Sequence, residues 1–298
     1  MKMITVRGRD HLASIIRESA IDADLNHLDV NGVTDMSNVF AFTKFNGDIS
    51  KWDVSNVTNM KEMFQHSNFK GDISKWDVSS VRDMWSMFQY SDFDGDISRW
   101  NVSKVEDMRE MFNGSQFNGD ISNWNVSNVK DMESMFSWSR FEGDISRWNV
   151  SRVENMRGLF RNSGFNGDIS RWNVSNVIWM HSMFENSMFD GDISKWNVSN
   201  VKLMSCMFQF SVFTGDISKW DVSSAVNMHS LFRGSIFDGD ISKWNTSNVI
   251  TMDKMFEYSP FDGDITKWNV SKCESIDSET RRILGLHRKC KTNPIKTE

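Results

Sequence analysis

Aspartate, lysine or arginine, and asparagine recur at fixed intervals along this chain, and any chemistry it performs has to come from those columns. Asp48 returns as Asp72, Asp96, Asp120, Asp144, Asp168, Asp192, Asp216, Asp240 and Asp264. A row of carboxylates suggests calcium, which takes about six to eight oxygen ligands. One acid per repeat, with no second acid in register, supplies too few. These aspartates are expected to close turns by accepting from backbone N–H groups. A basic ladder follows: Lys51, Lys75, Arg99, Arg147, Arg171, Lys195, Lys219, Lys243 and Lys267, interrupted only at Asn123. Such a ladder could track a glycan or polyanion, or simply keep a solvated face soluble. Asp53, Asp77 and Asp221, with Asn at the other copies from Asn101 to Asn269, run beside it and offset its charge.

Catalysis finds little support. His11, His27, His66, His181, His229 and His287 are scattered, and Cys206, Cys273 and Cys290 lie far apart with neither zinc nor disulfide spacing. There is no phosphate loop and no nucleophile elbow. An active site needs one unlike cluster at one place, which repetition opposes. No catalytic residue, metal ligand or cofactor is therefore expected. The net charge of -6 also argues against a nucleic-acid binder.

The columns arise from a repeat. Gly-Asp-Ile-Ser begins at Gly47, Gly71, Gly95 and onward to Gly239, and Gly-Asp-Ile-Thr begins at Gly263, each step being 24 residues. Ten of the 13 Trp occupy one repeat position, from Trp52 to Trp268. Within residues 45–68, Trp52 and Val54 alternate with Lys51, Asp53 and Ser55, which predicts a short strand. Val57, Met60, Met63 and Phe64 then fall at helical spacing, with Ser55 or Asn56 as cap. Gly71 is expected to turn the chain at positive φ, and Phe69 to plug the turn. A single coil is too small to hold itself together, so coils must stack. At about 4.8 Å per parallel strand they would form a rod on the order of 50 Å long.

The expected fold is an α/β repeat solenoid, leucine-rich-repeat-like, with parallel short strands on one face, short helices on the other and 24 residues per coil. Residues 1–22 read as an N-terminal capping segment, 23–276 as about ten to eleven repeats, 277–288 as a C-terminal capping helix and 289–298 as a disordered tail. The start of the chain soon turns charged at Arg9, Asp10 and His11, without the apolar core of a signal peptide, and no run approaches a membrane span. A cytoplasmic location follows as the expectation, with a surface or secreted location by a non-standard route as the alternative.

Gly-Asp-Ile-Ser-Lys-Trp-Asp-Val-Ser-Asn-Val-Thr-Asn-Met-Lys-Glu-Met-Phe, residues 47–64, resembles the BspA-like leucine-rich-repeat family, whose repeats carry W-(D/N)-(V/T)-S-x-V-x-x-M-x-x-(M/L)-F. The resemblance covers roughly residues 23–276. It implies a leucine-rich-repeat-type solenoid and often a bacterial surface or adhesion role. Similar repeats occur in phage and mobile-element proteins. The family carries no catalytic residues.

Variable positions hold what the constant ones cannot. The position of His66 becomes Phe42, Tyr90, Trp138, Phe210 and Tyr258 in other repeats. Those of Thr58 and Asn59 become Ile178, Trp179, Leu203 and Ile250, and that of Asn68 becomes Met188, Val212, Ile236 and Pro260. Apolar residues thus collect outside the repeat core in the C-terminal half, as they do at contact surfaces. The expected function is a non-catalytic interaction scaffold. Its contact set is Trp138, Ile178, Trp179, Met188, Leu203, Phe210, Val212, Ile236 and Tyr258. Its partner is expected to be a protein or a second copy of the chain, with a phage-type inhibitor as a special case. The alternative is an adhesin or a glycan or polyanion binder using the basic ladder.

Overall fold

Backbone polar groups must find partners wherever water is excluded, and here consecutive coils supply them to each other along one edge. In the computed structural model, which describes residues 3–286, equivalent residues of neighbouring coils pair in parallel. The pairing runs unbroken from Asp35 with Asn59 to Thr251 with Ser275. Asp24 and Asp48 also bridge, but beyond them only one residue per coil takes part, so the described repeats after the first coil contain no strand. The strands among the described residues are β1 (Ile4–Thr5) and β2 (Leu28–Asp29), parallel with Ile4 opposite Leu28. The helices are α1 (Arg9–Glu18) and α2 (Ser278–Ile283), one towards each end. The expected tail at 289–298, with Cys290, and the position of His287 lie outside the described residues.

The expected strand at Trp52–Val54 and the expected helix over Val57–Phe64 are both corrected. Trp52 and Val54 are buried while Lys51 and Asp53 are exposed, so the alternation is real, but the segment has no strand partner. Equivalent tryptophan rings stack 6.1–6.5 Å apart in three of the coil pairs, and the coils pair at the Asn59 position instead. In the first coil Leu28 stands in the Trp position, and there β1 and β2 do pair.

Val57, Met60, Met63 and Phe64 all point inward, yet they do so through consecutive turns. Met63 donates to the carbonyl of Met60, Gln65 to that of Glu62, and Ser67 to that of Phe64. The alternate N–H groups leave the coil: Met60, Glu62, Phe64 and His66 donate to Asp83, Trp85, Met87 and Gln89 of the next one. A helix would have used those donors internally. Glu62 and His66 have φ of 55° and 51°, the sign that the third residue of a type II turn requires.

The coils fan out. Rings at the Phe64 position are 5.6–5.9 Å apart from coil to coil after the first pair. At the Phe69 position they are 6.3–6.5 Å apart. Spacing therefore widens away from the bridged edge, and the stack bends with positions 58–66 on its inner side. The wide side is held differently. Each repeat tryptophan donates its indole N–H to a carbonyl of the preceding coil, Trp52 to Leu25 at 2.9 Å and the others to an isoleucine, as Trp100 does to Ile73 at 3.1 Å.

Gly71 and its equivalents do not have positive φ, contrary to expectation. They are needed for closeness: a Cβ on Gly167 would sit 2.8 Å from the ring of Phe165. At the N-terminal end α1 buries Leu12 and Ile16. At the other end Asp277 caps α2 by accepting from Glu279 and Thr280, and Leu284 joins the core. Among the described residues no helix is long and apolar enough to cross a membrane.

Candidate interaction surface

Aspartate and asparagine build most of the polar exterior by folding back on their own turns. Asp48 accepts from the N–H of Ser50 at 2.9 Å, and the same bond recurs down the column. Hydrogen bonds from the backbone amide and hydroxyl of that serine pull each of these carboxyls below the ordinary aspartate range. The neighbouring Asn column does the same, Asn149 accepting from Ser151 at 3.1 Å. It does not bond along the stack. A third column lies on the bridged edge, where Asn59, Asp83 and Asn227 accept from the N–H two residues on.

The basic ladder from Lys51 to Lys267 is exposed throughout, and no member makes an ion pair among the described residues. Its nine cations face ten ionised aspartates from Asp48 to Asp264, together with Asp53, Asp77 and Asp221. That face carries more acid than base.

On the inner side the outward residues differ in kind. Trp179 and Leu203 replace the Asp or Asn that elsewhere bonds its turn, and they are bridged to each other. Trp179 is 38% exposed, while Leu203 and Ile178 are half-buried. Across the turns, Met188, Ile236, Phe210, Tyr258 and Trp138 are exposed by 59, 54, 46, 73 and 60% respectively, and Val212 is half-buried. Met188, Val212 and Ile236 occupy one position in three successive coils, two residues from the column of Phe210 and Tyr258. The residues expected to make contact thus form two apolar margins along the bridged edge. Between them lie polar groups such as His181, Ser205 and Gln209.

The aromatic column has a backbone peculiarity that the sequence pattern does not announce. Phe42, Tyr90, Trp138, Phe210 and Tyr258 all have φ between 51° and 62°. That region costs L-residues roughly 1–2 kcal/mol, and for bulky ones it is an outlier. The same position elsewhere holds Gly114, Asn162, Asn186 and Gly234, the types that tolerate it. Phe42, His66 and Tyr90 stack with centroids 4.8 Å apart. The stack ends on Gly114, where a Cβ would meet the Tyr90 ring at 2.3 Å, and Phe210 lies on Gly234 in the same way. Arg233 lies over both Phe210 and Tyr258, at 5.5 and 5.6 Å, and pairs with Glu257.

The Cys206 thiol is pushed up to about 11 by burial, which removes its nucleophilic form. Burial, helped by Arg157, pulls His181 down, and His229 contacts Ser230 at 3.1 Å with no third group behind it. Among the described residues no cluster of three or more His, Cys, Asp or Glu could hold a metal.

A groove beside the bridged edge was missed in the sequence. One part, of about 670 Å³, is lined by Lys130, Arg152, Glu154, Asn176, Ile178, Asn200 and Lys202. A second part, of about 180 Å³, shares Lys130 and Arg152 and continues to Arg82, Lys104 and Glu106. The signal was present as charges at the positions of Asn56 and Thr58, but these vary between signs and show no ladder.

No curated protein and no solved structure matches the chain. Five overlapping stretches, residues 11–116, 66–163, 89–189, 137–236 and 187–282, match one family and together span almost the whole of the stack. The chain belongs to the repeat family described as Mycoplasma protein of unknown function, DUF285.

Proposed function

We propose that this chain is a non-catalytic interaction scaffold, a solenoid akin to the BspA-like repeats, that grips a protein partner with the apolar margins of its inner face. The observation that carries this is the aromatic column. Trp138, Phe210 and Tyr258 are exposed, and each sits at a φ that disfavours it. Neither core packing nor backbone preference accounts for them, and strained outliers of this kind gather at functional sites. Exposed aromatics are the anchors that interfaces favour. Trp179 and Leu203 add to the case, because each gives up a turn-closing hydrogen bond worth about 1 kcal/mol by analogy with helix caps. The basic ladder is a weaker candidate, since adjacent acids outnumber it.

The test replaces Trp138, Phe210 and Tyr258 together with Asn, the residue this column already uses at Asn162 and Asn186. Relief of positive φ, about 1 kcal/mol per site, is partly offset by loss of the Arg233 contacts, about 0.5–1 kcal/mol each. The denaturation midpoint should hold or rise, while capture of the partner from extract of the source cell is lost. Sedimentation of the purified chain tells a second copy from a different protein. Unchanged capture by the variant would contradict the proposal.

A further inference from the structure

We infer that the groove beside the bridged edge, which meets the apolar margins at Ile178, is a binding site for an acidic polysaccharide. Its cations are Arg82, Lys104, Lys130, Arg152 and Lys202, against two carboxylates, Glu106 and Glu154. Glu106 is already held by Lys130 at 2.7 Å and Arg82 at 3.2 Å. Lys104, Arg152 and Lys202 have no carboxylate within ion-pair distance among the described residues. The excess is therefore positive, on a chain whose net charge is -6.

The asparagines decide what kind of anion fits. Asn128, Asn176 and Asn200 each donate Nδ2 to a serine carbonyl of the preceding coil at 2.7 Å. That fixes the amide, with nitrogen to the wall and oxygen to the groove. Arg152 confirms the orientation by donating to Asn128 Oδ1 at 2.6 Å. The Oδ1 atoms of Asn176 and Asn200 accept no hydrogen bond among the described residues. The site thus offers two open acceptors, in the adjacent coils of Asn176 and Asn200, beside the cations Arg152 and Lys202. A polymer that carries hydroxyl donors and a negative group on successive units satisfies both. Single-stranded nucleic acid has the charge, but its bases bind by stacking on aromatic rings, and Ile178 is the groove's only apolar lining residue.

The full chain would be titrated by calorimetry with a heparin octasaccharide and a polygalacturonate oligomer, with a dextran oligomer and oligothymidylate as controls. Both acidic sugars should bind, more weakly as salt rises, because counterions are released. The dextran oligomer should not bind. Arg152→Ala with Lys202→Ala should weaken binding at least tenfold. Arg147→Ala with Arg171→Ala, which removes two charges from the basic ladder, should change it less than twofold. Circular dichroism checks that both variants fold. Absence of binding, equal loss in the two variants, or tighter binding of oligothymidylate would overturn the inference. The apolar-margin variant should bind the sugars normally, which separates this result from the fate of the protein-partner proposal.

Discussion

Glycine and asparagine do opposite work at two places in each coil. Gly167 has an ordinary φ and is required because Phe165 covers it at 2.8 Å from where a Cβ would stand. Gly164, three residues earlier, has its nearest neighbour at 3.6 Å, the end of the flexible Glu142 side chain. Gly167→Ala should therefore cost about 1–3 kcal/mol, as overpacking of a core does, while Gly164→Ala should be neutral or slightly stabilising. Urea denaturation of the two variants checks this, and equal effects would contradict the packing account. Sequence alone flagged the repeat glycine but for the wrong reason, since a ring pressed on a backbone leaves no mark in the pattern. The sites that do need positive φ were visible as Asn38, Gly114, Gly158, Asn162, Asn186 and Gly234, all at two repeat positions. They passed unnoticed because Phe, Tyr, Trp, Glu and Ser occupy the same positions elsewhere.

At the level of the turn and the coil, the inward positions were legible and the elements were not. Val57, Met60, Met63 and Phe64 have the spacing of a helical stripe, but consecutive turns place the same residues inward. What distinguishes the two is where the N–H groups go, and stacking decides that. The strand failed for a related reason, because alternation reports only which residues face inward, while the coils pair at the Asn59 position. The turns themselves make a pH prediction. The ten aspartates from Asp48 to Asp264 are pulled below the ordinary value of 3.8 by hydrogen bonds from Ser or Thr. A lowered carboxylate stabilises the fold above its unfolded pKa, and this is lost as pH falls through the folded value. Asp83, Asp131 and Glu110 are raised by burial and act with the opposite sign, favouring the fold when protonated. The lowered group is larger. The guanidinium midpoint should fall slightly below about pH 6.5, where His181 is protonated more readily unfolded than buried, and fall further by about pH 3. A midpoint that rises on acidification would contradict this balance.

The whole molecule is additive in a way a globular domain is not. Each coil bonds only to its neighbours, through the inner ladder, the indole-to-carbonyl bonds and the stacked rings, and α1 and α2 close the ends. The unbroken period made the stacking legible from sequence. The bend was not legible, because it follows from the difference between a hydrogen-bonded edge and an edge propped open by aromatic rings. Nor was the groove, which exists only once the positions of Asn56 and Thr58 are aligned across coils. If register between like coils holds the fold together, removing whole coils should leave a shorter version of the same protein. Excision of residues 95–142 takes out two coils and joins Asp94 to Gly143, an equivalent of Gly95. Small-angle scattering on that variant should show a folded particle shorter by on the order of 10 Å, two steps of strand-like spacing. A collapsed or unfolded particle, or one of unchanged length, would contradict the account.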